Sequence, residues 1–299
     1  MQHGFIKVAA VTPEIKVGDV VFNTEQICSE ISKAEEAGAK VIVFPELCLT
    51  GYTCQDLFLQ EELLTAAKEG LRAIVDYSDG VDALIFVGLP FAKGNKLYNV
   101  AAAINGGELV GFVPKMHIPS HGEFGEGRWF AQGNAEPEVI EFDEAEIPFG
   151  ANLLFESDAI SGLKIAAEIC EDLWVADSPS VSHTAQGAAI IVNLAASTEA
   201  VGKADQRRLL VQSASARGLC GYVFANAGEG ESTQDLVFAG HNLIAENGKI
   251  TAESARFEHG ILYGDLDIHK ICSERRRSTT SAQETGAAYI TIPVALVCQ

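Results

Sequence analysis

Positive charge is scarce in this chain. Lys and Arg total 21 against 41 Asp and Glu, a formal net charge of -20 over 299 residues. A nucleic-acid surface needs clustered cations to neutralise phosphate, so no nucleic-acid partner is expected; the acidic excess serves solubility. The one basic run, Arg275-Arg276-Arg277, reads as a solvated turn. Paired cysteines are missing too. Cys28, Cys48, Cys54, Cys170, Cys220, Cys272 and Cys298 are odd in number and form no Cys-x-x-Cys, which argues against a disulfide framework or a zinc knuckle and for a reducing, cytoplasmic setting. No apolar run reaches ~18 residues, so no membrane span is expected. The stretch from Met1 to Lys7 lacks the pattern of a signal peptide. Neither an internal repeat nor a low-complexity linker occurs before about residue 273.

What the chain has is core-forming material, 47% hydrophobic residues, arranged in alternating strand and helix signals. Ile6 to Val11 reads as a strand, Asn23 as the cap of a helix from Thr24 to about Ala37, and Gly38 as its stop. Val41 to Phe44 is wholly apolar, as befits a strand covered on both faces. A helix over Glu61 to Tyr77 and a strand over Ala83 to Gly88 follow. Leu97 to Ile104 and Glu108 to Val113, joined by Asn105-Gly106-Gly107, predict a hairpin, so the sheet is mixed. Residues 116 to 151 read as a long loop region of the functional kind. Beyond it lie a strand from Leu163 to Ile169, a strand from Ala189 to Leu194, a helix from about Ala204 to Arg217 and a strand from Tyr222 to Asn226. Strands near Val237 to Ala245, Ile250 to Arg256 and Ile261 to Leu266 complete the pattern. Ser278 to Gly286 is polar, and the apolar tail from Tyr289 to Val297 has no following partner. That tail reads either as a segment docked on another subunit of a homo-oligomer or as the start of a further domain.

Three reactive side chains stand just past apolar strands: Glu46 in Phe44-Pro45-Glu46, Lys115 in Val113-Pro114-Lys115, and Cys170 in Glu168-Ile169-Cys170-Glu171-Asp172. Singly each has a bland explanation. A buried cysteine is a small hydrophobe, an acidic residue after a strand caps a helix, and a lysine at a strand end is solvated. Together they supply a base, an electrostatic clamp and a nucleophile, the set that cleaves an amide. Cys170 precedes what looks like a helix start, whose N–H groups would lower the thiol pKa and hold an oxyanion. Competing motifs are weaker. Pro119 separates His117 from His121, so no helix presents both to a metal, and no metal is expected. The histidines at 183, 241, 259 and 269 lack a protease signature, and Gly122-x-x-Gly125-x-Gly127 lacks the strand and helix that a phosphate loop needs.

These motifs, with Thr50-Gly51-Tyr52, Ile118-Pro119 and Leu173-Trp174 beside them, resemble the Glu-Lys-Cys motifs of the nitrilase, or carbon-nitrogen hydrolase, superfamily. Glu168 to Trp174 and Ile118 to Phe130 are most similar to the glutaminase domain of glutamine-dependent NAD synthetases. The resemblance covers about residues 5 to 275, which sets a domain of residues 1–275 and a tail of 276–299. It implies a four-layer α-β-β-α sandwich. It also implies Glu46 as general base, Lys115 as oxyanion stabiliser and Cys170 as nucleophile, supported by Glu126 with Glu123 as competitor. Ser197 and Phe124 keep the family's pattern around the substrate's amino-acid head, whereas His121 stands where a tyrosine is usual and Lys203 where an arginine is. The glutaminase reaction needs no cofactor; ATP and Mg would belong to a separate synthetase domain, the partner that accepts the ammonia. A stand-alone amidase or carbamoylase of the same superfamily and a catalytically silent scaffold are the alternatives.

Overall fold

Two sheets, each with a parallel centre, explain why so many of the strands are apolar on both faces. The computed structural model describes residues 3–234, 236–280 and 286–297. The polar stretch at 281–285, part of the expected connection, lies outside the described residues. Strand β1 (Phe5–Thr12) leads to helix α1 (Val20–Glu36), strand β2 (Val41–Val43), helix α2 (Glu61–Tyr77) and the long hairpin strands β3 (Leu84–Lys93) and β4 (Lys96–Asn105). Strand β5 (Glu108–Pro114) is followed by β6 (Glu138–Phe142), β7 (Ala145–Phe149), β8 (Leu153–Ser157) and β9 (Leu163–Ile169). Then come α3 (Pro179–Ala185), β10 (Ile190–Ala195), α4 (Lys203–Gly218), β11 (Gly221–Asn226), β12 (Leu243–Glu246) and β13 (Lys249–Glu253). The described chain closes with β14 (Gly260–Asp267), α5 (Ile268–Arg277) and β15 (Ile290–Pro293).

The first sheet has eight strands in the order β14-β1-β2-β3-β4-β5-β7-β6, and the second has seven in the order β13-β12-β11-β10-β9-β8-β15. Alternation along the strands sorts the core. Ile6, Val8, Ala10, Val41, Val43, Leu84 and Phe86 face the second sheet and share one cluster with Phe155, Ile165 and Val192. Ala9, Val11, Ile42, Ile85 and Val87 face the other way and pack with Ile27 and Ile31 of α1 and Leu63, Leu71 and Ile74 of α2. Helices α3 and α4 cover the outer face of the second sheet. The layers are α-β-β-α, as the resemblance implied. Among the described residues no helix is long and apolar enough to cross a membrane.

Several expectations need correction. Asp19, not Asn23, caps α1, accepting the Phe22 N–H at 3.1 Å; Asn23 is buried in the first turn, where its amide holds Lys16 and Leu49. The region from 116 to 151 is not all loop, since β6 and β7 form a hairpin there. Regular structure near Val237 begins only at Leu243, because Phe238 is drawn into an isolated bridge with Thr198. Arg275 is no solvated turn residue. It lies in the last turn of α5 and its guanidinium donates to the carbonyls of Gly187, Ala188, Gly218 and Leu219, closing the end of α4. Helix α5 runs through the expected boundary at 275, and the tail pairs in parallel with β8 of its own chain, Ile290 opposite Leu153.

Candidate active site

Strand β2 ends at Val43 and the chain turns at Pro45-Glu46, with Leu47 in the left-handed region at φ 52°. The turn lies flat on β3, and only a glycine leaves room for it: a Cβ on Gly88 would stand 2.4 Å from both the Leu47 nitrogen and the Pro45 oxygen. Glu46 is thereby carried to the strand end and buried. Its Oε1 accepts from Lys115 Nζ at 2.6 Å and from Asn99 Nδ2 at 2.7 Å; its Oε2 accepts the Ala196 N–H at 3.0 Å.

Lys115 extends β5, its N–H donating to the Asn99 carbonyl of β4 at 2.8 Å. Gly133 donates to the Lys115 carbonyl at 2.9 Å and lies so close that a Cβ would meet that oxygen at 2.8 Å. The ammonium is fully buried, which alone would discharge it, but Glu126 and Glu46 outweigh burial and hold it well above the ordinary lysine range. Besides Glu46 it donates to Glu126 Oε1 at 2.7 Å and Oε2 at 2.9 Å. Tyr52 donates its hydroxyl to the same Oε1 at 2.8 Å. Burial, aided by Glu46 and opposed by Lys115, raises the Glu126 carboxyl to about 7. Glu123 is exposed instead and accepts from Thr198 Oγ1 at 3.2 Å. The structure therefore brings Glu126, not Glu123, to the lysine.

Cys170 follows β9 directly at φ 42°, a strained backbone for any side chain but glycine. Hydrogen bonds on either side hold the strain: the Cys170 N–H donates to Asn193 Oδ1 at 3.0 Å and the Ile169 N–H to Asp172 Oδ2 at 3.0 Å. Asn193 in turn donates to the Tyr222 hydroxyl at 3.0 Å, which donates to the buried Glu168 carboxylate. The segment after the cysteine is a short 3-10 turn, Cys170–Leu173, rather than a full helix. The expected lowering of the thiol pKa is overturned with it. Burial and the Glu46 charge push the Cys170 thiol well up, against the opposing pull of Lys115.

Of the other sequence candidates, Lys203 and His121 meet the cysteine turn through Trp174 and Glu171. Ser197 follows β10 and is buried; Asn226 grips its backbone on both sides, accepting from the Ser197 N–H at 2.8 Å and donating to its carbonyl at 3.2 Å. Arg207 of α4, also buried, reaches Ser197 Oγ at 3.4 Å and the Thr198 carbonyl at 3.0 Å and pairs with Glu199. Lys203 opens α4, its ammonium 4.1 Å from the centre of the Trp174 ring. His121, exposed, faces Glu171 at 3.4 Å and Phe124 at 6.1 Å between ring centres. Lys203 and Glu171, of opposite charge, thus stand at the cysteine turn, the first beside Trp174 next to it and the second within it. Asn99, Asn193, Asn226, Asp172, Tyr222 and Arg207 escaped the sequence reading. Two of them bore a signal, Asn99 and Asn193 each interrupting an apolar stretch of strand.

The carbon-nitrogen hydrolase profile matches residues 7–276. Over 281 residues the chain is 40% identical to the glutamine-dependent NAD(+) synthetase of Mycobacterium tuberculosis, covering 93% of this chain and 41% of that protein. Over 253 residues it is 33% identical to the glutamine-dependent NAD(+) synthetase of Aquifex aeolicus, with 84% and 41% covered. The chain therefore spans about two-fifths of the length of these relatives. Among solved structures it is similar to a glutamine-dependent NAD(+) synthetase from Cytophaga hutchinsonii, TM-score 0.79 at 29% identity, covering 87% of this chain and 43% of that one. An amidase from Nesterenkonia sp. shares the fold, with TM-score 0.69 at 20% identity, over 93% of this chain and 96% of that one.

Proposed function

The chain belongs to the carbon-nitrogen hydrolase family, and from that premise we propose that it cleaves the side-chain amide of glutamine through a thioester on Cys170, releasing ammonia. The observation that carries the reading is one buried ammonium, Lys115, set between the carboxylates of Glu46 and Glu126 next to a strained cysteine turn. Glu46 takes the Sγ proton as the sulfur attacks the carboxamide carbon. Lys115 and the Glu171 N–H hold the developing oxyanion. Collapse breaks the C–N bond, and ammonia leaves with the proton from Glu46. Water then gives a proton to Glu46, attacks the thioester, and yields glutamate and the free thiol. Glu126 keeps the lysine oriented. Lys203 suits the carboxylate of an amino-acid head and Glu171 its ammonium, with Ser197, Phe124 and His121 assigned to the same head by the resemblance.

The names of the relatives support an acceptor: a synthetase domain that would use the ammonia and bind ATP and Mg itself. A panel of glutamine, asparagine, aliphatic amides and N-carbamoyl compounds tests the substrate, with ammonia release as the readout. Intact-protein mass after mixing should show an acyl adduct that Cys170→Ala lacks. Preference for aliphatic or carbamoyl substrates would promote a stand-alone amidase. No adduct and no turnover on any of them would leave a silent scaffold.

A further inference from the structure

Lys115 and Cys170 belong to different sheets, so something must hold their loops in mutual register. Asp172 does so physically. Its buried carboxylate collects donors from both loops: Oδ1 accepts the His117 N–H at 2.9 Å, Oδ2 the Ile169 N–H at 3.0 Å, and Met116 N–H approaches Oδ2 at 3.4 Å. The His117 ring completes the set, its Nδ1 2.8 Å from Oδ1. One carboxylate thus joins the residues just after the lysine to the residue just before the cysteine.

We propose that Asp172 and His117 form a clasp between the lysine loop and the cysteine turn, and that both are positioning residues for nucleophilic attack. The proposal rests on the reading of Cys170 as the nucleophile. Without the clasp the left-handed backbone at Cys170 can relax, and a displacement of about 1 Å costs on the order of 100-fold in rate. The groups facing the His117 ring are acidic. Asp172 binds it, while Glu171 in the same turn and Asp177 before α3 add their charge; His121 shares Glu171. The hydrogen bond to Asp172, then those charges, raise the His117 pKa above the ordinary histidine value. The ion-paired clasp is therefore complete below the ordinary value and weakens as pH rises through the raised one.

The test uses the full chain and two readouts that do not share a substrate: iodoacetamide alkylation of Cys170 and turnover of glutamine, each across pH. His117→Ala should slow alkylation and lower kcat by about 10- to 100-fold, with KM changed far less. His117→Asn keeps a donor where Nδ1 stood but cannot titrate; it should recover most of the rate and remove the alkaline decline assigned to His117. Wild-type alkylation in His117→Ala, with only the melting temperature lowered, would reduce the pair to a structural role and overturn the proposal, as would an alkaline decline unchanged in His117→Asn. Slowed alkylation in a chain that ignores glutamine would sustain the clasp while sinking the proposed substrate.

Discussion

Cys170 holds its thiol where ionisation is disfavoured, and that decides what each neighbour must do. With the sulfur buried and Glu46 close, the proposed attack requires concerted proton removal, and the oxyanion it would form requires a charge that survives burial. Lys115→Met should lower kcat by at least ~100-fold, the scale of losing one oxyanion donor; steady-state kinetics that moved KM alone would make Lys115 a binding residue. Glu126 gives a pH signature. Its carboxyl is raised from 4.5 to about 7 in the folded chain, so across that window the native state keeps a proton that the unfolded chain has released, and this contribution to stability falls as pH rises. Melting temperatures of wild type and Glu126→Gln compared across the window should show the variant losing less on going to the alkaline side. The placement of Glu46, Lys115 and Cys170 at strand ends was legible because each differs in chemical type and each follows an apolar strand. The asparagines that aim them were not, since a side chain's partners across two sheets leave no local pattern. The thiol pKa was misread for the same reason: a backbone field is local, whereas burial and the Glu46 charge come from the fold.

Elements were most legible where their own hydrophobic period sufficed. Helix α2 spans Glu61–Tyr77 as the spacing predicts, and its buried Leu63, Ala67, Leu71 and Ile74 lie three or four residues apart. Short or docked elements hid better. Helix α5 has few apolar residues to bury, Ile268 and Ile271, and docks partly through Arg275, while β15 becomes a strand only because β8 offers an open edge. The tail past it also crosses to the first sheet. Asn105 exchanges two hydrogen bonds with Ala295, at 2.8 and 3.0 Å, and Asp82 accepts the Val297 N–H at 2.8 Å. His183 of α3 meets the Tyr289 hydroxyl at 2.8 Å. Ile292, Val294 and Leu296 are buried, each contributing about 1.5–3 kcal/mol. Truncation after Arg277 should therefore cost several kcal/mol, read as a lower urea midpoint; an unchanged midpoint would show that the tail is dispensable.

At the scale of the whole molecule the two sheets repeat one arrangement, β1-α1-β2-α2-β3 and β9-α3-β10-α4-β11, each with three parallel strands in chain order and two outer helices. No repeat is visible in the sequence, because the pattern that recurs is one of burial and not of residue identity. Aromatic rings bind the halves: Phe86 and Phe155 meet edge-on across the inter-sheet core at 5.5 Å. Phe155→Ala should destabilise the fold by about 3–5 kcal/mol, measured by denaturant titration, with activity disappearing along the same curve as the secondary structure.

The turn at residues 158–162, with Asp158, Ser161 and Gly162 exposed, divides the chain so that each side lends a strand to the other's sheet: β8 joins the second sheet from before the cut, and β14 joins the first from after it. Glu46, Lys115 and Glu126 fall on one side, Cys170 and Ser197 on the other. On the proposed mechanism, a chain nicked there would yield two pieces, neither able to form an acyl-enzyme alone, and restored ammonia release on mixing would count the reassembled molecules one by one, making the fold its own complementation reporter.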